Sequence, residues 1–273
     1  MNAFAVPALR PHTRIPAVAV PLLLLNLAAL QGCDVVTADL KHTETAEWRK
    51  TYELGSGGRV EISNVNGKIQ VTPSTGNTVE VVAQKTAKAA TTEAAKEALG
   101  KVEIQEEVSP SAISISTKLP RGSGWFSGST QVKYVVRVPI GAEVKFTTVN
   151  GGVEVTGLSG KVTAETTNGG VVARDIAGAI DASTTNGGVD VELARLAEGG
   201  AKLECTNGGI KLALPADSKA SISASITNGG IDASGLTLDT TQSSRRRLEG
   251  RMNGGGAPVH IEGTNGGIRI AAR

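Results

Sequence analysis

The sequence predicts an all-β protein, a parallel β-solenoid of about six coils preceded by a β-rich lead-in module with one short helix. Three observations carry that prediction. Asn-Gly-Gly followed by a β-branched residue occurs six times, at Asn150, Asn168, Asn186, Asn207, Asn228 and Asn265, with a forerunner at Asn66-Gly67-Lys68-Ile69. Successive Asn positions differ by 18, 18, 21, 21 and 37 residues, a period too short for βαβ units and suited to one coil of two short strands. Apolar or small residues flank each Asn at alternate positions, as with Val162, Ala164 and Thr166 before Asn168 and Val171 and Ala173 after it. Alternation of this kind is what a half-buried strand requires, because successive side chains point to opposite faces.

Two arrangements of these strands compete, since Asn-Gly between alternating runs is also a strong hairpin signal. The outward columns favour the parallel solenoid. Three residues before each Asn, in chain order, stand Thr147, Glu165, Ser183, Glu204, Ser225 and Glu262; four residues after stand Glu154, Val172, Asp190, Lys211, Asp232 and Arg269. No like charges are neighbours in either series. Parallel stacking would bring equivalent residues to about 4.8 Å, where like charges repel, whereas a hairpin meander gives no reason for the alternation. The Asn column then reads as a stacked amide ladder and the glycines as corners that need φ > 0. A phosphate-cradling glycine loop is the functional alternative, and it lacks the Gly-Lys-Ser/Thr ending.

Residues 1–32 read as a targeting segment. Arg10 and Arg14 precede an apolar stretch over 15–30, interrupted by Pro16 and Pro21 and short for a membrane span, and Leu30-Gln31-Gly32-Cys33 follows. This resembles a bacterial lipoprotein signal, with Cys33 as the lipidated residue and the membrane as its partner; ordinary secretion with cleavage near Gly32 is the alternative. Only one other cysteine exists, Cys205, in the column of Thr166 and Thr184, where a small buried core residue is expected. Residues 33–46 are polar and aperiodic, fit for a tether. Residues 47–140 form the lead-in module, with strands around Val60, Ile69, Val79, Ile113 and Val132 and a helix from about Ala87 to Leu99. It is expected to cap the solenoid of residues 141–273, since a bare terminal coil would expose both core and strand edge.

Catalysis finds little to work with. The three histidines, His12, His42 and His260, fall in three different segments, so neither a metal site nor a cofactor is expected. Aromatic residues are only 3% of the chain, too few to supply stacking platforms for a glycan-cleaving enzyme on a β-helix. Loss of the leader removes two arginines and no acid, leaving 26 basic and 26 acidic residues, a balance that argues against nucleic acid as a partner. Two segments are candidate contact loops. Trp125 and Phe126 lie in a Gly/Ser-rich stretch, where large aromatics either meet a partner or fold back onto the module. Arg245, Arg246, Arg247 and Arg251 lie in the long insertion between the Asn228 and Asn265 coils, a basic patch suited to anionic lipid or acidic glycan, or simply solvated.

Val138-Pro139-Ile140-Gly141-Ala142, the recurring Asn-Gly-Gly coils from Val149 to Ile270 and the closing Gly-Ile-Arg-Ile strand together resemble the bacterial adhesin-like family called domain of unknown function 4097. The resemblance covers residues 47–273. That family commonly carries Asn-Gly-Asp where this chain has Asn-Gly-Gly. What it implies is a β-repeat fold and a cell-envelope location, often anchored, with no catalytic residue to carry over. The expected function is therefore non-catalytic binding, adhesion or sensing at the envelope, toward an envelope protein or glycan; a glycan-acting enzyme and a structural spacer are the alternatives.

Overall fold

The computed structural model describes residues 40–119 and 128–273, and strands account for nearly all of its regular structure. The lead-in comprises β1 (His42–Glu53), β2 (Arg59–Ser63), β3 (Ile69–Ser74), β4 (Thr78–Ala89), α1 (Thr92–Gly100), β5 (Glu103–Ser109), β6 (Ala112–Lys118) and β7 (Ser129–Pro139). Four coils follow, each a strand on either side of an Asn-Gly-Gly corner: β8 (Glu143–Asn150) with β9 (Val153–Thr156), β10 (Val162–Asn168) with β11 (Val171–Ile176), β12 (Ile180–Asn186) with β13 (Val189–Leu193), and β14 (Ala201–Asn207) with β15 (Ile210–Leu214). The last two coils run through their corners as single strands, β16 (Ala220–Asp232) and β19 (Ala257–Ala272), and the hairpin β17 (Asp239–Ser243) and β18 (Arg247–Met252) lies between them in sequence.

Coil stacks on coil in parallel register. On the first face the order is β5–β6–β2–β8–β10–β12–β14–β19–β16–β18–β17, parallel from β6 to β16. On the second it is β1–β4–β7–β3–β9–β11–β13–β15–β19–β16, parallel from β7 onward. The two faces form one continuous 19-stranded sheet and enclose a single core. Inward columns such as Val153, Val171, Val189, Ile210 and Ile268 are buried, and size is balanced between coils: Phe146 stands beside Ala164 in register.

The parallel solenoid is therefore correct, and the hairpin meander is not. The order of its coils departs from the sequence, however. β19, last in the chain, lies between the β14/β15 coil and β16. The cause is the insertion, which folds as an antiparallel hairpin on the outer edge of β16 and leaves only the inner edge of β16 free for β19. Two expected alternations fail as a result. Glu204 stands beside Glu262, and Lys211 beside Arg269. The acids are tolerated because Lys202 Nζ lies 2.7 Å from Glu204 and His260 Nε2 lies 2.9 Å from Glu262.

Three boundaries also shift. The tether expected through Ala46 is strand from His42 onward, paired with Ala89 of β4. The helix expected from Ala87 starts at Thr92, because Ala87–Ala89 belong to β4, which bonds β1 on one edge and β7 on the other; Thr91 caps the helix by accepting from Ala94 N–H at 3.1 Å. Within the lead-in, the forerunner β2/β3 and the pair β6/β7 are further layers of the same stack. At the outer end, inward-facing Lys50 of β1 meets Glu106 of β5 at 3.5 Å, and Tyr52 donates its hydroxyl to the same carboxylate. Inward charge on edge strands opposes further strand addition.

Candidate functional site

The Asn-Gly-Gly corner is the most regular feature of the molecule, and it is built from the backbone outward. Each Asn projects at the same register position, so its amide can bond the next coil. Asn150 Nδ2 donates to Asn66 Oδ1 at 2.8 Å. The same bond runs from Asn168 to Asn150, Asn186 to Asn168 and Asn207 to Asn186, each at 2.9 Å. It continues from Asn265 to Asn207 at 2.8 Å and from Asn228 to Asn265 at 2.9 Å. Seven amides thus form one ladder of uniform polarity, in which each bond polarises the next. Asn66 belongs to it, although the sequence shows only an imperfect motif there.

A second column, not recognised as functional from sequence, lies two residues before each Asn. The hydroxyls of Thr148, Thr166 and Thr184 donate to the carbonyls of Gly67, Gly151 and Gly169 at 3.2, 2.8 and 2.8 Å, and Cys205 Sγ contacts the Gly187 carbonyl at 3.3 Å. Cys205 is buried, which raises its thiol pKa. These side chains satisfy corner carbonyls turned into the core, where an unpaired acceptor would be costly. The visible signal was Thr in a column of otherwise apolar residues.

Outward, the second face carries an ion-pair network. Arg174 binds Asp190 through two nitrogens at 2.8 and 2.9 Å, and Arg273 reaches Asp175 at 3.5 Å and pairs with Glu192. The hydrogen bonds from Arg174 hold the Asp190 carboxyl below the usual carboxylate range. Its contribution is thus present above the unfolded value, about 3.9, and is lost as pH falls through the lower folded value. Asp190→Asn is expected to destabilise the protein at neutral pH by less than about 1 kcal/mol, since the pair is partly exposed. Urea titrations at a series of pH values from 7 downward check this: the difference should shrink as pH falls through the lowered folded value.

Of the candidate contact residues, Cys33, Trp125 and Phe126 lie outside the described residues. The four arginines lie at the far end of the stack, and the insertion is an ordered cap rather than a loop. The Arg245 carbonyl accepts from Ile231 N–H at 3.0 Å and the Arg246 carbonyl from Ile226 N–H at 2.9 Å, while Arg247 and Arg251 belong to β18. All four side chains are exposed. Arg247 pairs with Glu249 at 3.1 Å; among the described residues the other three have no ion-pair partner. Next to Arg245 a cleft of about 350 Å³ opens between the hairpin and residues 231–238. Among the described residues, no three His, Cys, Asp or Glu side chains are grouped to hold a metal.

The fold and its repeat agree with known proteins at two levels. A structure of a candidate cell-adhesion protein from Clostridium sporogenes superposes with a TM-score of 0.54 at 15% identity, covering 84% of this chain and all of the other. A candidate adhesin from Bacteroides fragilis aligns at 10% identity and a TM-score of 0.33, over 82% of this chain and 97% of the other. At 15% identity the likeness to the first concerns the fold alone. Among curated proteins, none matches. The family model described as Toastrack, DUF4097, matches residues 60–271, from the first strand of the forerunner coil to the end of the inserted last strand. The chain belongs to the Toastrack family, DUF4097.

Proposed function

We propose that this protein is a non-catalytic, lipid-anchored component of the bacterial cell envelope that acts by adhesion or binding. The observation that carries the reading is the stack itself. Eleven strands on one face make a body about 50 Å long at about 4.8 Å per strand, locked by a side-chain ladder along its full series of corners. Such a body offers extended, rigid outer faces rather than a deep central cleft. Family membership and the adhesion-related name of the Clostridium sporogenes structure support the same reading. The Leu-Gln-Gly-Cys sequence ending at Cys33 supports the anchor.

The test is a comparison of cells expressing the full chain with cells expressing Cys33→Ala. Wild-type protein should fractionate with membranes and increase attachment of the cells to a coated surface. The variant should appear in the soluble fraction or accumulate unprocessed, without that gain. Normal processing with continued membrane association of the variant would refute the anchor, and wild-type cells that attach no better than cells lacking the protein would refute adhesion.

A further inference from the structure

From the cleft at the far end of the stack and Arg245 beside it, we infer a binding site for an acidic sugar, a saccharide bearing a carboxylate. The inference rests on the adhesive reading above and gives that reading a ligand class. The first observation is the distribution of arginines that lack an acidic partner. Eleven arginines fall among the described residues, and seven have an acidic partner: Arg49, Arg59, Arg137, Arg174, Arg247, Arg269 and Arg273. Of the other four, Arg195 donates to the Ala177 carbonyl at 3.3 Å. The remaining three, Arg245, Arg246 and Arg251, all sit in the cap. Among the described residues outside the cap, every arginine is met by an acid or a backbone carbonyl of the chain itself.

The second observation is the cleft. Its lining is mixed: Ile231, Leu236, Leu238 and buried Leu248 stand among Asp232, Ser234, Thr240, Ser243 and Ser244, and the cleft is the size of one or two sugar rings. Ser243 and Ser244 form one rim and lead directly into Arg245, whose side chain lies over Gly230. Asp232, also in the lining, is held by Ser234 Oγ at 2.8 Å and Arg269 Nε at 3.3 Å. A polyhydroxylated ligand suits this arrangement. The C–H face of a ring covers Ile231 and the leucines, its hydroxyls bond the serines and the Asp232 carboxylate, and its own carboxylate takes the guanidinium of Arg245, which lies over Gly230 next to the lining residues Ile231 and Ser244. An anionic lipid fits less well, because Asp232 and the serine rim would face its acyl chain. With no aromatic ring in the lining, affinity has to come mainly from charge and should fall with salt.

The arginine side chains can be tested without breaking the cap, because only their backbone carbonyls bond the last coil. Full-length protein in nonionic detergent would be titrated calorimetrically with trigalacturonate, with maltotriose and with phosphatidylglycerol vesicles. Binding of trigalacturonate is expected, at least about tenfold tighter than maltotriose and at least about tenfold weaker in Arg245→Gln/Arg246→Gln, with unchanged thermal unfolding. The proposal is overturned if trigalacturonate at about 1 mM gives no binding, if the double variant binds equally well, or if these arginines serve only the vesicles. Attachment of cells that survives in a double variant unable to bind the sugar would sink this site as the adhesive one while leaving adhesion standing.

Discussion

Gly187→Ala should destabilise the protein by about 3 kcal/mol or more, whereas Gly188→Ala, one residue on, should change stability by no more than about 1 kcal/mol. The first glycine of each corner lies directly against the coil before it. A Cβ at Gly187 would sit 2.0 Å from the Gly169 carbonyl oxygen, at a φ of +149°. That oxygen belongs to backbone held in the stack and already accepts the Thr184 hydroxyl, so it cannot move aside alone. The second glycine faces open space by comparison, and a Cβ at Gly188 would meet the Gly209 carbonyl at 3.4 Å, an ordinary contact. Urea unfolding of the two single variants measures the contrast, and equal costs at the two positions would contradict the stacked corner. The same geometry explains how relatives can carry Asp at the second position: there is room for a side chain there and none at the first.

A second large effect separates the order of coils in space from their order in sequence. Ile268→Asp should cost on the order of 4 kcal/mol, because it exchanges a buried aliphatic side chain for an unpaired carboxylate, whereas Ile231→Asp should cost about 1 kcal/mol. Both residues occupy the position three after the corner Asn. Read in chain order, Ile231 would be the interior one, between Ile210 and Ile268. In the structure Ile268 lies between Ile210 and Ile231 and is buried, while Ile231 is half-exposed in the terminal coil. Damage at Ile268 should also spread to both neighbouring coils, since stability in a stack is a sum of nearest-neighbour interfaces. Guanidinium unfolding of the two variants gives the answer: a higher cost at Ile231 would restore the sequential order.

Much of the site was legible for a simple reason. A column exists wherever the same position recurs in every coil, so Asn150, Asn168, Asn186 and Asn207 could be aligned by counting alone. The hydroxyl column was visible as Thr148, Thr166 and Thr184 but not interpretable, because nothing in the sequence says that the preceding corner turns its carbonyl inward. The basic insertion was legible as charge. That its backbone closes the last coil, and that a cleft opens beside Arg245, depends on how the hairpin folds back onto β16.

By itself the sequence determined the all-β class, the parallel stack, the corner residues and the inward columns, because alternation and repeat period act locally and every coil restates them. Only the tertiary structure decided which coil touches which. The Asn207, Asn228 and Asn265 coils present nearly equivalent edges, so repeat periodicity cannot rank their pairings. The choice falls to the β17–β18 hairpin, which occupies one edge of β16 and leaves the other to β19. Neighbouring charges such as Glu204 and Glu262 then follow from that choice and are accommodated by the side chains at hand.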